Sequence, residues 1–189
     1  MEFSSRKPSI LVVENFYKDP DKVVEYANSK EFAEDDRYYK GSRSTERHLF
    51  PYVKEEFERL LGGAVINDWL MQPYNGCFQI TDSRNPLVWH SDSQNYAAAI
   101  YLTKDADAMG TSFWKDTKYG YRRPPDTAEH CNEIYSPYNL VNQDNWELVD
   151  KVGGVYNRLV IWDGKMIHSA SMYSENPRLV QLFFFNVNQ

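Results

Sequence analysis

From Val65 onward the chain consists of short β-prone runs separated by turn signals, and this restricts its fold more than any other feature. VINDWLMQPY, CFQITD, LVWHSD, YAAAIYLT, GTSFWK, RLVIWDG and RLVQLFFFNV concentrate β-branched, aromatic and apolar residues between Asp, Asn, Gly and Pro breaks, which predicts strands. The first third differs. Residues 9–16, SILVVENF, predict one strand. A helix follows in DPDKVVEYANSKEF, with Asp19 as cap, Pro20 in the first turn, and Val23, Val24, Tyr26 and Ala27 forming an apolar face. Residues 34–48 predict a loop broken at Gly41. LFPYVKEEFERLLGG predicts a second helix, opened by Pro51 and closed by Gly62-Gly63, with Val53, Phe57, Leu60 and Leu61 on one face. Helices followed by many short strands give an α+β expectation, with helices packed outside a sheet system. The whole chain, 1–189, is expected to form a single domain: 1–64 the N-terminal strand and helices, 65–188 the β core. Within it, 115–151 is expected to be an irregular, lid-like insertion with one short helix, DNWELVDKV, capped by Asp144 or Asn145.

One of the β-prone runs carries His90-Ser91-Asp92. Two positions apart on a strand share a face, so the imidazole and the carboxylate point the same way. They form two thirds of a 2-His-1-carboxylate triad, the set that holds Fe(II) and leaves coordination positions open. His168, 76 positions after Asp92 in RLVIWDGKMIHSAS, is the candidate third ligand, and Arg178 follows ten positions later. Taken singly, each has a plain structural account: a strand-end histidine bonded to a neighbouring aspartate, a buried histidine, an exposed strand arginine. Their order along β-prone runs is what separates the two readings.

That order resembles the Fe(II)/2-oxoglutarate-dependent dioxygenases over residues 70–188. The resemblance implies a double-stranded β-helix (jelly roll, cupin-like) with flanking N-terminal helices. It also implies Fe(II) held by His90, Asp92 and His168, with 2-oxoglutarate as cosubstrate and O2 as oxidant. The family's distal histidine follows an "lvlFdg" run, which LVIWDG matches. Arg178 takes the place of the anchor for the far carboxylate of 2-oxoglutarate in phytanoyl-hydroxylase-like members, and a guanidinium suits that role because it binds a carboxylate through two parallel hydrogen bonds. Many such relatives carry Ser two positions further on, where Val180 stands here. A second carboxylate partner is therefore sought in Tyr101, with Thr111 and Gln79 behind it. MGTSFW, 109–114, resembles the "GGxTxF" segment of prolyl-hydroxylase-like members through Gly110, Thr111 and Phe113, one residue shorter and with Met109 for the first Gly. In halogenating relatives a small residue replaces the carboxylate ligand; with Asp92 present, hydroxylation or a related oxidation is implied.

Trp89, Asn95 and Trp114 are candidates for the substrate side of the pocket, and Trp162 for the core. The substrate expected is a small molecule, such as an amino acid or a natural-product intermediate. The alternatives are a protein or peptide side chain, a non-catalytic cupin-like binding module, and a cupin-like metalloenzyme without oxoglutarate, which typically needs more histidines than the four present.

Net charge is −6 and no Lys/Arg cluster exceeds the Arg122-Arg123 pair, so no nucleic-acid partner is expected. No run reaches the ~18 apolar residues of a membrane span, and no apolar leader opens the chain; a soluble, cytoplasmic protein is expected. Cys77 and Cys131 form no C-x-x-C and are expected as free thiols. His48 and His130, outside strand-like settings, are expected at the surface or in a lid.

Overall fold

Runs such as YAAAIY and RLVQLFFF lack polar alternation because both faces of their sheet are covered, by helices on one side and by a second sheet on the other. The computed structural model describes residues 7–35 and 40–188. Its strands are β1 (Ile10–Val13), β2 (Phe32–Glu34), β3 (Ser42–Ser44), β4 (Phe78–Thr81), β5 (Tyr96–Tyr101), β6 (Thr111–Asp116), β7 (Trp146–Val152), β8 (Leu159–Asp163), β9 (His168–Ala170) and β10 (Arg178–Phe185). Three short helices accompany them: α1 (Pro20–Asn28), α2 (Val53–Leu60) and α3 (Ala128–Ile134). The large sheet runs β1-β8-β5-β10-β4-β3-β2 and the small one β7-β6-β9, with every pairing antiparallel.

Strand alternation sorts the large sheet's side chains into two cores. Tyr96, Ala98 and Ile100, Leu159 and Ile161, and Leu179, Phe183 and Phe185 face α1 and α2, where Phe57 meets Phe16, Trp69, Phe183 and Phe185. Ala97, Ala99, Tyr101, Val160, Trp162 and Val180 point the other way, against Phe113 and Met166 of the small-sheet side. On the small sheet's far face, Trp114 and Ile167 pack with Trp89 and with Ile134 and Trp146 of the 115–151 segment.

α1 and α2 form as expected. Asp19 accepts from the Lys22 amide at 3.4 Å, and Gly62 and Gly63, at φ +74° and +84°, end α2 in the left-handed region that favours glycine. Other expectations fail for tertiary reasons. DNWELVDKV is not a helix: Trp146–Val152 pairs with β6 as β7, and only Gln143–Asn145 forms a 3-10 turn. Helix propensity is a weak prior, and a ladder to β6 overrides it. The insertion is thus not irregular; it supplies β7 and the unforeseen helix α3. VINDWLMQPY forms turns with one bridge, Ile66 to Val187, because Trp69 stacks flat on Phe183 at 5.4 Å and Asp68 takes the Asn186 amide at 2.7 Å. LVWHSD pairs only at His90. The expected 34–48 loop contains β3, and its residues 36–39 lie outside the described residues, as do 1–6 and 189. His48 is buried, not at the surface: Tyr26 Oη lies 3.0 Å from its Nδ1 and its ring stacks on Phe78. Both cysteines are free, Cys77 buried. No helix among the described residues is long and apolar enough to cross a membrane.

Because Phe57 is wholly buried among four aromatic rings, Phe57→Ala is expected to cost ~3–5 kcal/mol in urea-induced unfolding.

Candidate metal centre

His90 and His168 are a cross-strand pair. The amide of His90 donates to His168 O at 3.0 Å and the amide of His168 donates to His90 O at 2.8 Å. Residues that exchange both bonds face each other directly and send their side chains to the same side. Their ring centroids lie 4.3 Å apart. Asp92 follows after the chain turns away; its amide donates to Gly164 O at 2.7 Å. The Asp163-Gly164 turn leaves room for this: a Cβ on Gly164 would lie 2.6 Å from Gln94 O and 3.3 Å from Asp92 Cβ. Lys165 Nζ donates to the carbonyls of Asp92 and Ser93 at 3.2 and 2.7 Å. From the insertion, Tyr135 Oη donates to Ser91 Oγ at 3.0 Å, and the Trp89 amide donates to Leu140 O. The loop carrying two of the candidate ligands is thus pinned on both sides.

One ligand atom from each of His90, Asp92 and His168 lies within 4.8 Å of the others. His168 Nε2 is 3.4 Å from Asp92 Oδ2, and His90 Nε2 is 3.9 Å from Asp92 Oδ1. Each imidazole places Nδ1 on a carbonyl two residues before it, Val88 O at 3.1 Å and Met166 O at 2.8 Å. A proton on each Nδ1 leaves both Nε2 lone pairs facing the carboxylate, the tautomer that an outer hydrogen bond selects for a metal-ligating histidine. Asp92 Oδ2 is buried and accepts no hydrogen bond. Burial, with His90 adding to it, pushes the His168 pKa down to about 4, so this imidazole is unprotonated at neutral pH. A buried carboxylate oxygen without a donor beside two lone pairs is poorly satisfied by protein alone. A divalent transition metal fits it, and imidazole with carboxylate is the ligand set such ions take.

The centre opens into a cavity of roughly 350 Å3 between the sheets. Its floor is the inner face of the large sheet, where Ala99 creates space and Leu182 and Phe184 supply apolar wall. Arg178, Thr111 and Gln79 also line it. Arg178 is buried, donates through Nε to Met109 O at 2.6 Å, and has its guanidinium carbon 5.3 Å above the Tyr101 ring. Tyr101 itself sits beneath the cavity, with Oη 2.6 Å from Thr111 Oγ1. Gln79 holds β3, accepting from Arg43 Nε at 2.9 Å and donating to Lys40 O at 2.7 Å.

The three candidate substrate residues lie elsewhere than on this cavity. Trp89 and Trp114 pack edge to face behind the small sheet, and Trp114 Nε1 donates to Ser169 Oγ at 3.0 Å. Strand alternation explains Trp89: its neighbours Val88 and His90 line the cavity, so it points away. Asn95 ties the loop to the C-terminal segment through Asn186 and Val187. Sequence reasoning missed Lys40, Arg43, Tyr173, Leu182 and Phe184 as lining residues, and placed Trp162 in the core although it also faces the cavity. The period-two reading of RLVQLFFF holds the signal for two of them, since Arg178, Leu182 and Phe184 share one face.

A model described as a family of unknown function, DUF6445, matches residues 81–179, more than half of the chain. The chain is a DUF6445 protein. No curated protein matches its sequence. Among solved structures, this DUF6445 protein resembles HygX from Streptomyces hygroscopicus with nickel, 2-oxoglutarate and hygromycin B bound, at 12% identity and TM-score 0.54, covering 94% of this chain and 82% of that one. It also resembles a Pseudomonas putida prolyl-4-hydroxylase, at 11% identity and TM-score 0.53, covering 96% and 94%. A third is a prolyl hydroxylase from Trichoplax adhaerens in complex with a hypoxia inducible factor peptide fragment, at 12% identity and TM-score 0.55, covering 94% and 83%. The DUF6445 protein therefore shares the fold of Fe/2-oxoglutarate-dependent oxygenases: mostly antiparallel sheets with few helices.

Two outcomes follow from the centre. Asp92→Asn is expected to leave the metal-free protein no less stable, because the buried Oδ2 of the carboxylate it removes has no hydrogen-bond donor. The same change should weaken Co(II) binding by more than the ~10–100-fold that losing an outer hydrogen-bond partner costs; urea melts and Co(II) titration measure the two effects. The second concerns pH. His168 has a folded pKa below its unfolded value of about 6.5. Its contribution is therefore intact above 6.5 and lost as pH falls toward 4, because the unfolded chain takes up a proton that the fold refuses. Metal-free His168→Asn should show a flatter fall in stability between these values than the parent.

Proposed function

We propose that this protein is an Fe(II)- and 2-oxoglutarate-dependent dioxygenase that hydroxylates a small molecule, and that its two sheets form a double-stranded β-helix. The observation that carries this reading is that one cavity is lined both by His90 and His168 of the His90–Asp92–His168 group and by the buried Arg178. His90, Asp92 and His168 would hold the iron. Bound iron with dioxygen supplies the oxidising power, coupling decarboxylation of 2-oxoglutarate to succinate and carbon dioxide with hydroxylation of the substrate.

The chain's own residues bind and orient. Arg178, its Nε fixed on Met109 O, presents the remainder of its guanidinium to a carboxylate. Tyr101 supports it from below and holds the Thr111 hydroxyl beside it. Val88, Pro86, Leu182 and Phe184 give the apolar wall that keeps water from the reacting carbon. The cavity's size, at the small end of the range for ligand pockets, suits a small dicarboxylate with one substrate group and favours a small substrate over an enclosed polymer.

Anaerobic titration of the Fe(II)-loaded protein with 2-oxoglutarate tests the proposal through the visible metal-to-ligand charge-transfer band. The band is expected in the parent, absent in His168→Ala, and shifted to ~10–100-fold higher 2-oxoglutarate concentration in Arg178→Ala, the loss of a charge-assisted hydrogen bond. Iron binding without a band would overturn the oxoglutarate assignment. Failure to bind iron would leave a binding module in its place.

A further inference from the structure

We infer that the phenol of Tyr173 is the second anchor, beside Arg178, for the far carboxylate of the cosubstrate. This inference rests on the function proposed above. Tyr173 lies in the 171–177 segment that joins β9 to β10. A short chain of contacts holds that segment against Arg178. The Ser171 amide donates to Gly110 O at 3.0 Å, and Ser174 O accepts from the Ser83 amide at 2.9 Å. Ser174 Oγ donates to Met109 Sδ at 3.2 Å, and Met109 O is the acceptor that fixes Arg178 Nε at 2.6 Å. Thr81 is the cross-strand partner of Arg178, so the two side chains share one face of the large sheet. Tyr173 and Arg178 both line the cavity.

Tyr173 is half-buried. Its Oη completes no hydrogen bond among the described residues and is not enclosed, so a ligand in the cavity can reach it. The neighbouring Thr81 Oγ1 is enclosed and likewise completes none. Burial pushes the Tyr173 phenol up from its ordinary value, while the Arg178 charge and the Thr81 hydroxyl act to lower it. Both groups therefore act on the phenol, which stays protonated at neutral pH and able to donate. The partners expected from the sequence are engaged elsewhere. Tyr101 Oη and Thr111 Oγ1 lie 2.6 Å apart as a pair, and the Gln79 amide is used at both ends by Arg43 and Lys40 O. No Asp or Glu lines the cavity, so a carboxylate acceptor has to come with a ligand. A carboxylate set between the Arg178 guanidinium and Tyr173 Oη gives the phenol the acceptor it lacks. The phenol oxygen can in turn accept from Thr81 Oγ1, which meets the enclosed hydroxyl as well.

The test pairs a variant with a measurement on the unaltered protein. Anaerobic Fe(II)-loaded Tyr173→Phe, which keeps the ring and removes the hydroxyl, is titrated beside the parent with 2-oxoglutarate and with 2-oxobutyrate. The second compound keeps the 2-oxo acid end and lacks the far carboxylate. A ~10-fold higher dissociation constant is expected for 2-oxoglutarate, the worth of one hydrogen bond to a charged group. Binding of 2-oxobutyrate, iron affinity and melting temperature should not change. In the parent loaded with diamagnetic Zn(II) and carrying 13C at tyrosine Cζ, the Tyr173 resonance should shift when 2-oxoglutarate is added. Tyr173→Leu supplies the assignment if the Phe variant folds poorly. A 2-oxoglutarate dissociation constant within twofold of the parent, an equal loss for 2-oxobutyrate, or a Tyr173 resonance unmoved at saturating 2-oxoglutarate would overturn the role of Tyr173 while leaving the oxygenase reading standing. Absence of any 2-oxoglutarate binding by the parent would overturn both.

Discussion

The pair of backbone hydrogen bonds between His90 and His168 is the constraint on which the rest of the site depends. Two residues 78 positions apart in the chain are locked face to face by their own main chains, so their imidazoles converge without help from any side chain. Asp92 then needs only one further anchor, its amide on Gly164 O, for its carboxylate to reach both rings. Each of these bonds belongs to the backbone. The side chains of His90, Asp92 and His168 are left able to meet a metal, while Nδ1 of each imidazole is occupied by a carbonyl that sets its tautomer.

The large sheet serves two masters. Phe78, Phe183 and Phe185 on its outer face pack against α1 and against Phe57 of α2, and this aromatic core supplies the rigidity. Its inner face carries alanines at 97 and 99, and Ala99 borders the cavity. An acidic chain places Lys40, Arg43 and Arg178 around that cavity and no carboxylate among the residues lining it.

The 115–151 segment illustrates how tertiary pairing reassigns sequence. DNWELVDKV carries a helix start in Asp144 or Asn145, yet in the fold its Trp146–Val152 part completes the small sheet against β6, and α3 closes over Trp89, Trp114 and Trp146. Through Tyr135 and Leu140 the same segment reaches the back of the loop that bears His90 and Asp92. Its described contacts are those of a brace for the loop that bears His90 and Asp92, and Arg123 extends them by pairing with Asp163 at 2.6 Å beside the Gly164 turn.

What the sequence by itself determined are the features set by local chemistry. They include the capped helix at Asp19-Pro20, the glycine-ended α2, most of the short strands, and the residue types that can ligate a metal or grip a carboxylate: His90, Asp92, His168 and Arg178. Their side-chain chemistry is intrinsic, and their order along the chain is enough to suggest a common site. Which aromatic residues face the cavity was a tertiary decision. Trp89, Trp114 and Trp162 are chemically alike, but a side chain's direction is set by strand register, and register is a long-range pairing. That pairing sends Trp89 and Trp114 behind the small sheet and brings Trp162 to the cavity wall. Burial was decided the same way. His48 looked like a loop residue until Phe78 and Tyr26 closed around it, because the contacts that bury a side chain come from segments distant in the chain.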